Sequence, residues 1–369
     1  FYMNYNQGAL PSQKLKEYIA QGIFQNVDEK NISPASIDMT VSTEWYRIDG
    51  VFLPKTGELI PDLIRALHGT RHAASEPLEK GVVYVVRLNE LFELPEKIYG
   101  YCNPKSSTGR HDLHVRIVKD GVARYDTLPV GSKGDMWAII VPRSYPVIIP
   151  TDFPISQARF FNVDTRFSEK DLELEWIKRP LAYDLEGNPH TYESFKMKDS
   201  DGSVLLTLDL SQDIVGYECR GSNTLINLGS PNTSIDPSSH FVPIKKTGES
   251  IVLRKDSFYI LSTKEALRVP PHLASEMVDM DSRTGEFRTH YAGFFDPGWG
   301  CGSDGEGKGR PITLEVRTFE DVIISHGQPI GKVRFERMAE VPTVHYDQKG
   351  SNYLIQTGPK LAKQFKTFS

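Results

Sequence analysis

Apolar and polar positions along this chain alternate mostly at a period of two, the spacing that sends successive side chains to opposite faces of a strand. Residues 32–41 begin a strand through alternation and β-branched side chains, and residues 82–86 form a strand core. Residues 111–118 alternate as a half-buried strand does. Residues 137–141 are wholly apolar, with Pro142 limiting their extension. Residues 204–208, 249–253 and 312–316 repeat the pattern. A helical period shows in few places. Ser12 precedes Leu15, Tyr18, Ile19 and Ile23, residues 58–68 read as a second short helix, and Ser168-Glu169-Lys170-Asp171 has the form of a capped helix start. Short strands between Gly/Pro turns predict a mainly β chain, with a barrel or sandwich in each half.

The halves are suggested by an internal repeat. Leu78, Lys80, Tyr84, Glu90 and Pro95 recur as Leu253, Lys255, Tyr259, Glu265 and Pro270 at constant spacing. Pro154, Ile155, Arg159 and Phe160 recur as Pro329, Ile330, Arg334 and Phe335, and Ser36-x-Asp38 is echoed by Ser211-x-Asp213. The chain reads as two diverged copies of one module: 1–167, a connector at 168–190, a second module at 191–345 and a C-terminal tail at 346–369. Its 369 residues suit two domains that each bury a core.

A net charge of -5 gives no global attraction to nucleic acid or an anionic membrane, so any phosphate site must be local. No apolar run approaches a membrane span, and the first residues lack the charged-then-apolar pattern of a secretory signal. The cysteines Cys102, Cys219 and Cys301 are too few for a disulfide framework, which predicts a reducing cytoplasm.

The candidate chemistry begins at Asn103-Pro104-Lys105-Ser106-Ser107-Thr108-Gly109-Arg110. Small hydroxyls and two cations around a Gly turn form a polyphosphate cradle, because hydroxyls and backbone N–H groups donate while Lys and Arg neutralise charge. The second half carries an altered copy, Met280-Asp281-Ser282-Arg283-Thr284-Gly285-Glu286, in which Asp281 and Glu286 replace Lys105 and Arg110. Those carboxylates would repel a phosphate. The second half has instead Glu315 in an apolar strand, and counting back from the shared Pro-Ile and Arg-Phe pairs places it opposite Ile140, a position able to face inward. Each half keeps a different part of one site. Asp38 reads as a buried carboxylate bonded to nearby backbone N–H groups. His111 and His114, at strand spacing, face opposite ways and do not share a metal.

With Ser36-Ile37-Asp38, Asp296-Pro297-Gly298-Trp299, Thr313-Leu314-Glu315 and the tail 352–359, the cradle resembles the dCTP deaminase branch of the dUTPase-like family. The resemblance covers most of the chain and implies two tandem dUTPase-like β-barrel or sandwich modules of the β-clip type, with a few short helices. It implies hydrolytic deamination of dCTP to dUTP and ammonia without zinc. Glu315 then matches the general base, Ser106 the hydroxyl and Ala292 the carbonyl that hold the water. Lys105, Ser107 and Arg110 match phosphate contacts, with Mg²⁺ bound alongside the triphosphate. Asp296, Trp299, Thr313, Leu314, Tyr346 and Gln356 match nucleotide-contacting positions. The His-x-Glu and Pro-Cys-x-x-Cys signature of zinc deaminases is absent from the sequence.

The chain departs from the family pattern at three places: Lys105 and Phe294 stand where Arg is usual, the Gly-rich connection 300–311 is longer, with a flexible hairpin expected there, and the tail matches in part. Most members are homotrimers with sites between subunits. A three-fold ring cannot alternate two unlike modules and close, so working sites joining unlike modules are expected within one chain or in a homo-oligomer. The expected partners are dCTP and dUTP, with neither nucleic acid nor membrane. Two other readings stay open: a dUTP diphosphatase or bifunctional enzyme, with Asp296 orienting water toward phosphorus, and a nucleotide-binding regulator without catalysis.

Overall fold

The computed structural model describes residues 6–281, 283, 287–289, 293–348 and 358–368, with the backbone alone at 287–289. These residues form two compact units. One holds Ser12–Val163, Arg220–His240 and 362–368; the other holds 6–11, Asp164–Cys219 and Phe241–Leu361.

In the unit of the first half, one eight-stranded antiparallel sheet runs in the order Leu113–Lys119, Met136–Pro142, Val83–Leu88, Ile37–Ile48, Pro154–Phe161, Tyr99–Pro104 and Thr127–Leu128, with Thr70–His72 also on Ile37–Ile48. Asp126 stitches the two ends of this sheet together. Its N–H donates to Ile117 O (2.9 Å), its carbonyl accepts from Cys102 N (2.8 Å), and its carboxylate accepts from Ile117 N and Arg116 Nη1 (2.8 Å each). A positive φ of 56° lets one short residue face both ends, a conformation Asp tolerates better than most. The predicted helices are present at Ser12–Ala20 and Ile60–Ala66. His111 lies in the turn before the strand Leu113–Lys119, so only His114 belongs to that strand.

The unit of the second half packs two antiparallel sheets. One runs Phe241–Lys245, Ile214–Cys219, Phe258–Leu267, Arg310–Thr318 and Phe287–Thr289; the other runs Ser203–Thr207, Pro329–Arg337, Leu273–Met277 and Phe294–Phe295. Leu206, Leu261, Leu314, Val316, Val333 and Phe335 fill the core, joined by Leu172 and Trp176 of the helix Glu169–Lys178. Ser168 caps that helix reciprocally with Asp171, as its sequence predicts. Among the described residues no helix is long and apolar enough to cross a membrane.

The repeat has a visible physical basis. Glu90 accepts from Thr40 N (2.8 Å) and Thr40 Oγ1 (2.7 Å), and Glu265 accepts from Thr207 N (2.7 Å) and Thr207 Oγ1 (2.6 Å). Likewise Tyr84 Oη accepts from Glu79 N, and Tyr259 Oη from Arg254 N. These twin contacts correct two alignments made on spacing. Thr207 answers Thr40, so the counterparts of Ser36 and Asp38 are Ser203 and Leu205, not Ser211 and Asp213. The constant spacing fails there because the first strand is joined to the rest of each half by a different length of chain. Tyr84 lies across from Ile140 and Val85 from Ile139, whereas Tyr259 lies across from Val316 and Ile260 from Glu315. Glu315 therefore answers Ile139, not Ile140; the stretch between this strand and the shared Pro-Ile is one residue shorter in the second half.

The Glu90 latch predicts a pH-dependent stability. Burial pushes the Glu90 carboxyl up to about 7, opposed by its bonds from Thr40. The folded state then holds a proton that the unfolded chain gives up near pH 4.3, so this contribution is full below that pH and is lost as pH rises through 7. Glu90→Gln keeps an acceptor for Thr40 N and a donor for Thr40 Oγ1. Urea unfolding at pH 5 and pH 8 is expected to show a fall that is greater in the unaltered protein than in Glu90→Gln by up to about 3 kcal/mol, the remainder coming from Glu265, which burial also raises.

Candidate active site

The cradle grows from the end of the strand Tyr99–Pro104. Lys105 stays extended, and Ser106–Gly109 then make one helical turn, with Thr108 N and Gly109 N both donating to Lys105 O at 2.9 Å. Arg110 N donates to Ser106 O (3.0 Å), and Asp112, at φ 51°, turns the chain into the strand Leu113–Lys119. The Asp112 carboxylate accepts from Ser144 Oγ at 2.5 Å, which pins the far end of the turn. The loop thus carries both cations from one edge of the sheet to the other.

Asp38, Gln157 and Asn103 lie abreast on three neighbouring strands. Lys105, two residues past Asn103 on the same face, reaches Asp38 and forms an ion pair with its Oδ2. Asp38 thus holds the cradle lysine and does not bond backbone N–H groups as expected; side-chain reach across the sheet brings it a cation that local spacing did not show. Asp38 Oδ1, Ser36 Oγ and Thr108 Oγ1 are buried without a hydrogen-bond partner among the described residues. Buried polar atoms are rarely left so; the two hydroxyls can donate to a ligand or a water, whereas Asp38 Oδ1 can only accept. Ser106 and Ser107 are half-buried, and Arg110 is buried.

In the strand Arg310–Thr318, Ile312, Leu314 and Val316 enter the core, so Thr313 and Glu315 face the other way. Glu315 is only 1% exposed, and Thr313 Oγ1 accepts from Lys360 N at 3.4 Å. The Leu314 side chain is core, which leaves only its backbone to offer a ligand. In the first half, the answering Ile139 packs under Ile60 and Ile64 of the helix Ile60–Ala66. The corresponding stretch of the second half, between the paired strands Ile214–Cys219 and Phe241–Lys245, is Arg220–His240, which belongs to the other unit. No such helix covers Glu315 among the described residues of its own unit.

The turn Asp296-Pro297-Gly298-Trp299 is held by backbone bonds: Gly298 N to Val269 O, Val269 N to Trp299 O, and Tyr346 N to Pro297 O. Gly298 has φ +90° and would place a Cβ 2.4 Å from the His345 ring, so glycine alone fits. The Trp299 ring meets Tyr346 at 5.1 Å and Phe295 at 5.3 Å, and the Arg310 guanidinium lies 4.8 Å from its centroid. Asp296 is buried.

Two members of this cluster were not singled out in the sequence. Arg310 Nη2 donates to Asp347 Oδ1 (2.8 Å), and Gly302 N donates to Asp347 Oδ2 (2.8 Å), with both side chains of the ion pair buried. An Arg opening a strand and an Asp after a tyrosine carry no motif; only their meeting reveals them. The Gly-rich connection expected as a flexible hairpin is held at Gly305 O by Arg179 and Arg268, and at Gly307 O by Arg268.

Ala292 and Gln356 lie outside the described residues. So do Ser282, Thr284, Gly285 and Glu286 of the altered cradle; its Asp281 is paired with Arg283, which holds the carboxyl below its usual range. Among the described residues no three His, Cys, Asp or Glu side chains converge to hold a metal ion.

Three comparisons bear on this geometry. Residues 6–164 match the profile of the 2'-deoxycytidine 5'-triphosphate deaminase N-terminal domain, and residues 184–365 that of the corresponding C-terminal domain. A protein named dCTP deaminase, dUMP-forming, from Corynebacterium glutamicum (strain R) is 28% identical over 144 residues, 37% of this chain and 71% of that protein. The crystal structure of 2'-deoxycytidine 5'-triphosphate deaminase from Agrobacterium tumefaciens superposes with a TM-score of 0.80 at 30% identity, covering 91% of this chain and 99% of that one.

Proposed function

The chain belongs to the 2'-deoxycytidine 5'-triphosphate deaminase family, and from that premise we propose that it converts dCTP and water to dUTP and ammonia, with Glu315 as general base. The observation that carries the assignment is the carboxylate of Glu315, buried at a strand position where the first half packs Ile139 under a helix. A carboxylate is costly to bury, and the first half fills the answering position with an apolar side chain, so we assign the Glu315 carboxylate a role in proton transfer and not in packing.

In this reading water adds to C4 of the cytosine ring. Glu315 takes a proton from the water as its oxygen bonds to C4 and passes that proton to N3; it then takes the proton of the new C4 hydroxyl and gives it to the amino group, so that C4=O forms as the C4–N bond breaks and ammonia leaves. The Ser106 hydroxyl and the Ala292 carbonyl hold the water. Lys105, Ser107 and Arg110 neutralise the triphosphate, with Asp38 fixing the lysine, and Mg²⁺ arrives as part of the substrate. Trp299, Tyr346, Asp296, Gln356 and the Thr313–Leu314 backbone position the nucleoside. No zinc takes part; stoichiometric zinc in active protein would overturn that statement.

A second reading is favoured by the names of the Corynebacterium glutamicum relatives, which form dUMP. Here dUTP stays bound and Asp296 orients a second water for attack at phosphorus, releasing diphosphate. Incubating the protein with dCTP and Mg²⁺, with dUTP in parallel, separates the two. Ammonia with accumulating dUTP supports the deaminase alone; ammonia with dUMP and diphosphate supports the bifunctional enzyme. Diphosphate from dUTP without ammonia from dCTP selects a dUTP diphosphatase, and nucleotide binding without product selects a regulator.

A further inference from the structure

Beyond the cradle, residues 362–368 also belong to the unit of the first half. Residues 363–366 run beside 233–235: Thr233 N donates to Lys363 O (2.8 Å), Ser234 N and Ile235 N to Gln364 O (2.9 Å each), and Lys366 N to Ile235 O (2.8 Å). The bridge Ile235–Phe365 is parallel. This strap delivers Gln364, 1% exposed, to His111, the residue after Arg110.

The hydrogen bonds determine a tautomer. Gln364 Nε2 donates to Leu228 O at 2.9 Å, so its Oε1 is the atom left facing His111 Nε2 at 3.2 Å. A carbonyl oxygen only accepts, hence His111 carries its proton on Nε2, and Nδ1 is a bare, buried acceptor without a partner among the described residues. Burial also pushes the His111 imidazole down to about 4, keeping it neutral. Its ring lies 5.6 Å from Phe365, which in turn lies 5.5 Å from His240. His111 N donates to Thr108 O, inside the same turn that carries Ser107 and Arg110.

Besides the Lys105–Asp38 pair before its start, the turn is held at its far end by Asp112 on Ser144 and by His111 on Gln364. We propose that Gln364 is a positioning residue: through the His111 ring it sets the turn that presents Arg110, so that the C-terminal strap tunes how tightly the cradle binds a triphosphate. This rests on the reading of the cradle as a phosphate site, but not on deamination.

The test uses Gln364→Met, which keeps length and volume while removing both amide contacts, and Gln364→Asn, one methylene shorter, should the methionine protein fail to fold. The ¹⁵N shifts of the His111 ring in the ligand-free protein report the tautomer; Nε2–H in the unaltered protein is expected to give way to a mixture in the variant. Affinity for inorganic triphosphate is expected to fall about tenfold for Met and about threefold for Asn, the scale of one misplaced charge-assisted contact. For dCTP turnover, KM is expected to rise by the same factors with a smaller fall in kcat, because Arg110 lies beside His111 at the end of the turn while Ser106 lies at its start. Equal triphosphate affinity in unaltered and substituted proteins, or an unshifted His111 ring, overturns the proposal. Absence of ammonia from dCTP together with the tenfold loss of triphosphate affinity would sink the activity and support the positioning role.

Discussion

A Glu315→Gln protein is expected to bind dCTP and release almost no ammonia. Gln has the same shape as Glu and can occupy the same buried strand position, so the fold and nucleotide affinity should change little. What it lacks is the ability to take a proton from water and return one to the departing amine. General base and general acid assistance are each worth about 10²–10⁴ in rate, so losing a group that performs both should lower kcat by about 10⁴ or more. The measurement is ammonia release at saturating dCTP beside dCTP binding by calorimetry. Residual turnover within about tenfold of the unaltered protein would remove Glu315 from the chemistry. Lost binding with lost turnover would instead make it a substrate contact.

Arg110→Ala should show the complementary pattern. The guanidinium sits at the end of the cradle turn and is buried, so the phosphate contact proposed for it would be shielded from water. Removing it is expected to cost about 3 kcal/mol of dCTP binding, roughly a hundredfold in KM, with a smaller loss in kcat. The effect should shrink for dCMP, which lacks the outer phosphates; equal losses for dCMP and dCTP would mean the residue does not read the triphosphate. Co-refolding the Arg110→Ala and Glu315→Gln proteins adds a second readout, since each retains what the other has lost. Recovered activity would assign the cradle and the carboxylate of a working site to different chains, and none would assign both to one chain.

Part of the fold was legible because strand and cap signals are local. The apolar runs at 82–86 and 137–141 correspond to Val83–Leu88 and Met136–Pro142, and Ser168-x-x-Asp171 caps the helix as written. Register was less legible. The spacing that matches Tyr84 to Tyr259 does not carry to Ser36 or to Glu315, because loops change length without disturbing the sheet. Strands are paired by hydrogen bonds and facing side chains, and neither counts residues across a turn.

By itself, the chain determined its class, its duplication, the chemical character of Lys105-Ser106-Ser107-Thr108-Gly109-Arg110 and the oddity of a carboxylate at Glu315, since each depends on residue type and short spacing. Only the tertiary structure decided that Asp38 holds Lys105, that Arg310 and Asp347 clasp the Trp299–Tyr346 wall, and that Gln364 bonds His111. It also decided that Arg220–His240 joins the unit of the first half while Glu315 lies in the other. These contacts join residues tens to hundreds of positions apart, and their energy exists only where burial removes water and leaves each polar group one partner to find.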